Sequence, residues 1–305
     1  MDIKTTIVLI SAVILSSCGS GGSRKQTTET KNDEMETSYK VKLLTVDPGH
    51  FHAALVQKTT YPQVSPDVRV YAPEGPDVEQ HLGRIASYNA RANDPTKWNE
   101  IVYRGADFFE KMLSEKAGNV VVLSGNNRKK ASYITASINA GLNVLADKPM
   151  IITPEDWPGL QAAFASASEK GVLLYDIMTE RFEVTTLLQK LLSQNEDIFG
   201  TLVPGSASDP AVSKVSVHHF SKIVSGSPLQ RPAWFFDVEQ QGEGIVDVTT
   251  HLVDLIQWEC FPEQILDPSD VKLSSARRWP TIISKEQFSG VTGFDDFPEY
   301  LSKDI

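Results

Sequence analysis

Short apolar runs alternate with helix-spaced segments from Val41 to Met178, and this alternation sets the expected fold. Val41–Val46 (VKLLTV) reads as a buried strand broken by Asp47-Pro48-Gly49, with a short helical segment from His52 through Val56. Val68–Tyr71 is a second strand, closed by Ala72-Pro73-Glu74-Gly75-Pro76. Helical spacing follows over 77–88 and 106–116, and the continuous run at 119–124 (NVVVLS) is a third strand, ending in Gly125-Asn126-Asn127. A helix over 128–140 stops at Gly141, a left-handed cap position, and Asn143–Ala146 is the next strand. Thr153 as N-cap, Pro154 at the first position and two acids in the first turn start a helix that runs to Gly171. Val172–Met178 then returns as a strand. The pattern predicts an α/β chain: a Rossmann-like doubly wound parallel sheet over 40–178, covered on both faces. After 178 the regularity stops. A helix over 182–193, stretches broken by Gly, Ser and Pro, and one strong helix over 245–259 suggest a second α+β domain, 179–305, with an incomplete open sheet.

The N-terminus has a different pattern. Lys4 precedes an apolar run, Ile7–Leu15, that ends in Leu15-Ser16-Ser17-Cys18. About 20 apolar residues are needed to cross a bilayer, so this run is too short for a membrane helix and reads as a secretory signal over 1–17. The Leu-Ser-Ser-Cys ending resembles the lipobox of bacterial lipoproteins. That resemblance implies lipidation at Cys18 and an exported chain anchored to a bacterial membrane, on its periplasmic face. Residues 18–39 are polar and small and would act as a flexible tether, reaching on the order of 25 Å. The plainer alternative is an ordinary signal peptide with a chance cysteine.

Composition narrows the function classes. The 305 residues are 41% apolar and carry 29 basic against 39 acidic side chains, a formal charge of −10 with no clustered basic face, so nucleic acid is not an expected partner. Two cysteines exclude a disulfide scaffold and a zinc site built on several thiolates. With Cys18 lipidated, Cys260 has no partner.

In an open parallel sheet ligands bind beyond the carboxyl ends of the strands. The residues there are Asp47-Pro48-Gly49-His50, Glu74, Ser124–Asn127 and Asp147-Lys148-Pro149. The first turn is a poor dinucleotide fingerprint. Gly49 alone could serve as one of three glycines, and Asp47 would put a carboxylate near a pyrophosphate, unfavourable unless water or a cation intervenes. A strand–turn–helix with no phosphate near it is the bland alternative. Glu74 follows the second strand, where an acid can accept from ribose hydroxyls. On the 245–259 helix, Asp247, Thr250, His251, Asp254 and Trp258 share one stripe, and Ile245, Val248, Leu252 and Leu255 form the opposite, expectedly buried one. Asp247 would raise the His251 pKa towards working pH, which suits acid–base chemistry; an ordinary solvated i, i+4 pair is the alternative.

Ala140-Gly141-Leu142-Asn143-Val144-Leu145 followed by Asp147-Lys148-Pro149 resembles the "AGxxVxxEKP" segment of the Gfo/Idh/MocA family of nicotinamide-dependent sugar oxidoreductases. Gly242-Glu243-Gly244 through Asp254 is similar to the family's "GGGxxxDxGxHxxD" helix. The family's histidine three residues after the Asn is Lys130 here, and Arg181 matches the arginine after the last Rossmann strand. With Trp234-Phe235-Phe236-Asp237, the chain looks like a Bacteroidetes-type lipoprotein branch. The resemblance implies NAD or NADP held by Gly49, His50, Glu74, Gly125, Asn127, Asp147, Lys148 and Pro149. It implies a sugar held by Lys130, Arg181, Lys148 and His251, with Lys148, Asp247 and His251 catalytic, and no metal ligand. His251 would exchange the hydroxyl proton, Lys148 would hold ribose and the reacting hydroxyl, and Asp247 would orient His251. A homo-oligomer is compatible with it. Only 47 residues, 259–305, follow the Asp-His helix, fewer than the family's second domains use, so the chain is expected to be C-terminally short.

Two competing readings use the same residues. One is a non-catalytic sugar-binding lipoprotein on a degenerate oxidoreductase scaffold, suggested by the missing glycines. The other is a metal-dependent amidohydrolase using His50, His52, Lys148, His218, His219 and His251. That fold needs eight strand–helix units, and the alternation stops at 178.

Overall fold

The computed structural model describes residues 39–216 and 219–304, with side chains to Leu301. The signal, Cys18, the tether and His218 therefore lie outside the described residues.

Six parallel strands form one sheet: β1 (Leu43–Val46), β2 (Asp67–Ala72), β3 (Asn99–Arg104), β4 (Val120–Leu123), β5 (Asn143–Asp147) and β6 (Leu174–Ile177). Their order is β3-β2-β1-β4-β5-β6, so the chain reverses direction of travel between β1 and β4. Leu43–Val46 pairs with Val120–Leu123 in direct register, and every residue of β1 is buried, as a central strand covered on both faces requires. One face packs Leu44, Val121 and Val144 against α3 (Phe108–Glu115), α4 (Lys130–Asn139) and α5 (Trp157–Lys170), through Met112, Ile134, Ile138 and Ala163. The other packs Leu43, Val68 and Val122 against Ala54 of α1 (His52–Leu55) and Ile85 of α2 (Pro76–Ala90).

The predicted strands and helices up to 178 are present, with two differences. β3 was not expected: its four central residues are only half-buried at the sheet edge, so NEIVYR has neither a buried run nor a clean alternation. Thr153 does not cap a helix through its side chain; its hydroxyl meets the Asp156 carboxylate at 3.2 Å, and a single 3₁₀ turn, Pro154–Asp156, precedes α5. Gly171, at φ +66°, ends α5 as expected.

After β6 come α6 (Val184–Ser193), α7 (Glu196–Phe199), a ribbon of β7 (Ile223–Val224) with β8 (Ser227–Pro228), α8 (Val238–Gln241), α9 (Thr250–Cys260) and α10 (Lys285–Thr292). Among the described residues the expected open sheet is reduced to that two-stranded antiparallel ribbon. Ala233, Phe288 and Leu301 form a small separate core, and residues 39–305 pack as one unit. Arg181, in the turn after β6, clamps the Asp254 carboxylate with two nitrogens, fixing α9 over the sheet's carboxyl edge.

The helix over 245–259 is built differently from its expected amphipathic form. Ile245–Thr249 is a π-helical turn, and the buried stripe is Asp247, His251, Leu255 and Glu259. Ile245, expected inside, is 56% exposed. Asp247 and His251 face inward because they line a cavity, and Glu259 is buried against Lys214.

Candidate active site

Three strand ends and one helix converge on a cavity of about 850 Å³. The turn after β1 supplies His50 and His52, β5 leads to Lys148, the turn after β6 supplies Thr179 and Glu180, and the π turn and α9 supply Asp247 and His251. Asp47 turns the chain at φ +46°, and the His50 N–H then donates to Ser124 O at 2.9 Å. This brings the β1 turn directly onto the β4 turn: a Cβ on Gly125 would lie 1.9 Å from Asp47 O. Only glycine allows that approach.

Below the cavity floor, Asp147 gathers four groups. Its Oδ1 accepts from Lys130 Nζ and its Oδ2 from Ser124 Oγ at 2.9 Å. His50 Nδ1 and His52 Nδ1 lie 3.2 and 3.3 Å from the same Oδ2, and neither meets hydrogen-bond geometry. Burial pushes the Asp147 carboxyl up, but the Lys130 ammonium and the two imidazoles outweigh it and hold it well below the usual carboxylate range. Burial, then the neighbouring His52, pushes His50 well down; burial lowers His52 as well. Lys130 also donates to Asn127 Oδ1 at 2.5 Å and to Pro149 O at 3.1 Å.

On the cavity wall, Lys148 Nζ donates to Asp247 Oδ1 at 2.7 Å and to Asp247 O at 2.8 Å. His251 Nε2 lies 3.8 Å from Glu180 Oε1, and its buried Nδ1 has no hydrogen-bond partner. The expected upward shift of the His251 pKa is reversed. Burial first, then the Lys148 ammonium, lowers it to about 3, because the carboxylate meant to raise it is engaged by Lys148. His251 is therefore a neutral imidazole at pH 7.

Several residues expected at the ligand lie elsewhere. Lys130, expected at the sugar, is 2% exposed and spent on Asn127, Asp147 and Pro149, so it braces the floor. Arg181, also expected there, is the clamp on Asp254. Asn127, expected at the nicotinamide, is buried and donates to Gln241 O at 2.8 Å. Asp247 holds Lys148 rather than orienting His251. Lys222, Arg231 and Glu180 line the cavity and were not expected. Burial first, then Arg231 and Lys148, lowers the Lys222 pKa, while burial and Glu183 raise that of Glu180. Lys222 and Arg231 come from an irregular segment with no periodicity to mark them.

The two nucleoside ends of a dinucleotide find seats. A cavity of about 300 Å³ beyond β1 and β2 has Pro73, Trp234, Phe294 and Tyr300 as apolar walls and Glu74, which pairs with Arg104, at its rim. The large cavity with Lys148 would take the other end. The turn between them offers few donors: the Asp47 N–H goes to Tyr71 O, Pro48 has none, and the His50 N–H is used on Ser124. A Cβ on Gly49 would meet Trp234 at 2.8 Å and Asp77 at 2.9 Å. Burial, then Asp77, raises Asp47 to about 6. The residues present thus fit the nucleosides and lack the N–H cradle for the linking phosphates.

Residues 70–175 match the family model described as "Oxidoreductase family, NAD-binding Rossmann fold" (Gfo/Idh/MocA), and 188–305 match "Putative oxidoreductase C terminal domain". A crystal structure of a "putative oxidoreductase" from Parabacteroides merdae is 57% identical at a TM-score of 0.80; the match covers 87% of this chain and 61% of that one. The chain thus spans about three fifths of that relative's length. A second similar structure, an oxidoreductase described in the same words from Thermotoga maritima, is 13% identical, covers 72% of this chain and 58% of its own at a TM-score of 0.51, and shares the fold alone. No curated protein matches the sequence. The chain thus carries an NAD-binding Rossmann domain of the Gfo/Idh/MocA oxidoreductase family over 70–175 and the oxidoreductase C-terminal domain over 188–305.

Proposed function

We propose that the chain oxidises or reduces a sugar or sugar derivative by hydride transfer with NAD or NADP. The observation that carries this reading is Lys148, held by Asp247, and neutral His251 lining one cavity beyond the strand ends. Lys148 has one N–H left after donating twice to Asp247 and offers it to the reacting sugar oxygen. Neutral His251 accepts the hydroxyl proton at Nε2, and the Glu180 carboxylate facing that nitrogen stabilises the imidazolium formed. When bound, the nicotinamide supplies the hydride acceptor or donor. Lys222 and Arg231 add positive charge that stabilises a developing alkoxide. The apolar run and the Leu-Ser-Ser-Cys ending support the accompanying proposal of a chain exported and lipidated at Cys18, anchored on the periplasmic face.

A second reading, a sugar-binding lipoprotein without turnover, is favoured by the absent phosphate cradle and the Asp47–Asp77 pair. Titration of purified protein with NAD and NADP separates the two. Binding, with sugar-dependent absorbance change at the reduced nicotinamide band, supports the oxidoreductase. Sugar binding with no nucleotide bound at millimolar concentration supports the second reading. Labelling with a fatty-acid analogue, lost in Cys18→Ser, tests the anchor.

A further inference from the structure

His50 and His52 form a second cluster at the cavity floor that the proposed hydride chemistry does not use. We infer that His50 Nδ1, His52 Nδ1 and Asp147 Oδ2 bind a divalent transition-metal ion of the zinc class, with its open coordination position facing the large cavity. The three ligand atoms all lie within 4.8 Å of one another. The two nitrogen–oxygen separations, 3.2 and 3.3 Å, match the edge of a coordination tetrahedron, roughly 3.3 Å for ligands about 2.0 Å from the ion.

The hydrogen bonding points the same way. Both Nδ1 atoms are buried and aimed at one carboxylate oxygen, yet neither is hydrogen-bonded, and Ser124 already donates to that oxygen. A buried polar atom left in this state costs stability unless something satisfies it, and a shared cation satisfies all three atoms at once. Outer partners are in place: His52 Nε2 lies 3.3 Å from Thr179 Oγ1, which leaves Nδ1 for the ion, and Lys130 fixes the other carboxylate oxygen. Two imidazoles and one carboxylate suit zinc or iron(II) better than calcium or magnesium. The 11% exposure of the His50 side chain opens the site to the cavity. Because Lys130 and Lys148 stand nearby, a loaded site carries surplus positive charge and prefers an anionic fourth ligand. Hydroxide and an ionised sugar hydroxyl are the candidates by charge and size.

This inference stands independently of the nicotinamide reading, because metal uptake is measured with no nucleotide present. Full-length protein is stripped with chelator, dialysed against zinc and assayed by elemental analysis. About one equivalent is expected in the wild type and in His219→Gln, which removes an exposed histidine. In His50→Gln/His52→Gln the equivalent should be lost, with folding checked by circular dichroism. If that variant does not fold, the cobalt(II) form of the wild type takes its place. Visible bands of four- or five-coordinate cobalt, perturbed by a polyol, support the site. No retained zinc, zinc retained in the folded double variant, or a cobalt spectrum unchanged from the aqueous ion overturns it.

Discussion

Asp247 accepts from Lys148 at 2.7 Å, across 99 residues of sequence, although helical spacing placed it one turn from His251. Both side chains are under 10% exposed, so the pair is made out of reach of bulk water. Removing one partner costs the other a buried, charge-assisted hydrogen bond.

Lys148→Met should therefore destabilise the fold by about 1–3 kcal/mol, and Asp247→Asn by a similar or smaller amount. The double variant should recover part of the loss, giving a coupling energy of at least about 1 kcal/mol in urea titrations. Turnover in any of the three should fall by about a hundredfold or more, since the donor to the reacting oxygen is lost or misplaced.

Arg181→Ala should behave in the opposite way. Its guanidinium holds Asp254 outside the cavity, so the melting temperature should drop while KM for the sugar changes little in protein that remains folded. A large rise in KM with unchanged stability would return Arg181 to the substrate.

Glu100 lies beside Gln57 and the buried His81, and burial raises its carboxyl to about 7 from 4.5. The folded state then holds a proton that the unfolded state releases, so stability falls as pH climbs from about 4.5 through about 7. Glu100→Gln removes that dependence, and its advantage over the wild type should grow between pH 5 and 8 to at most about 3 kcal/mol. Urea midpoints at the two values measure it.

Asp47 ionises near 6, beside the place a pyrophosphate would occupy. Dinucleotide affinity should be higher at pH 5 than at pH 8. Asp47→Asn should flatten the profile and tighten binding at pH 8 by about tenfold, roughly 1.4 kcal/mol.

The Rossmann sheet was legible because its central strands are rich in buried apolar residues and α4 and α5 end at glycine stop signals. Gly141 and Gly171 both adopt the positive φ their positions suggested. β3 was not legible, because an edge strand half-covered on both faces carries no clean period. The site was legible as a set of residues and not as an arrangement: Lys148, Asp247 and His251 all reach the cavity, with their pairings exchanged.

The sequence by itself determined five of the six sheet strands, the helices between them and which short segments lie at their ends, since these depend on interactions within a few residues. Only the tertiary structure decided which buried charges neutralise one another. Lys130 joins Asp147 across 17 residues and Lys148 joins Asp247 across 99. A carboxylate in a low-dielectric interior takes whichever cation the folded chain brings nearest, and sequence spacing does not encode that distance.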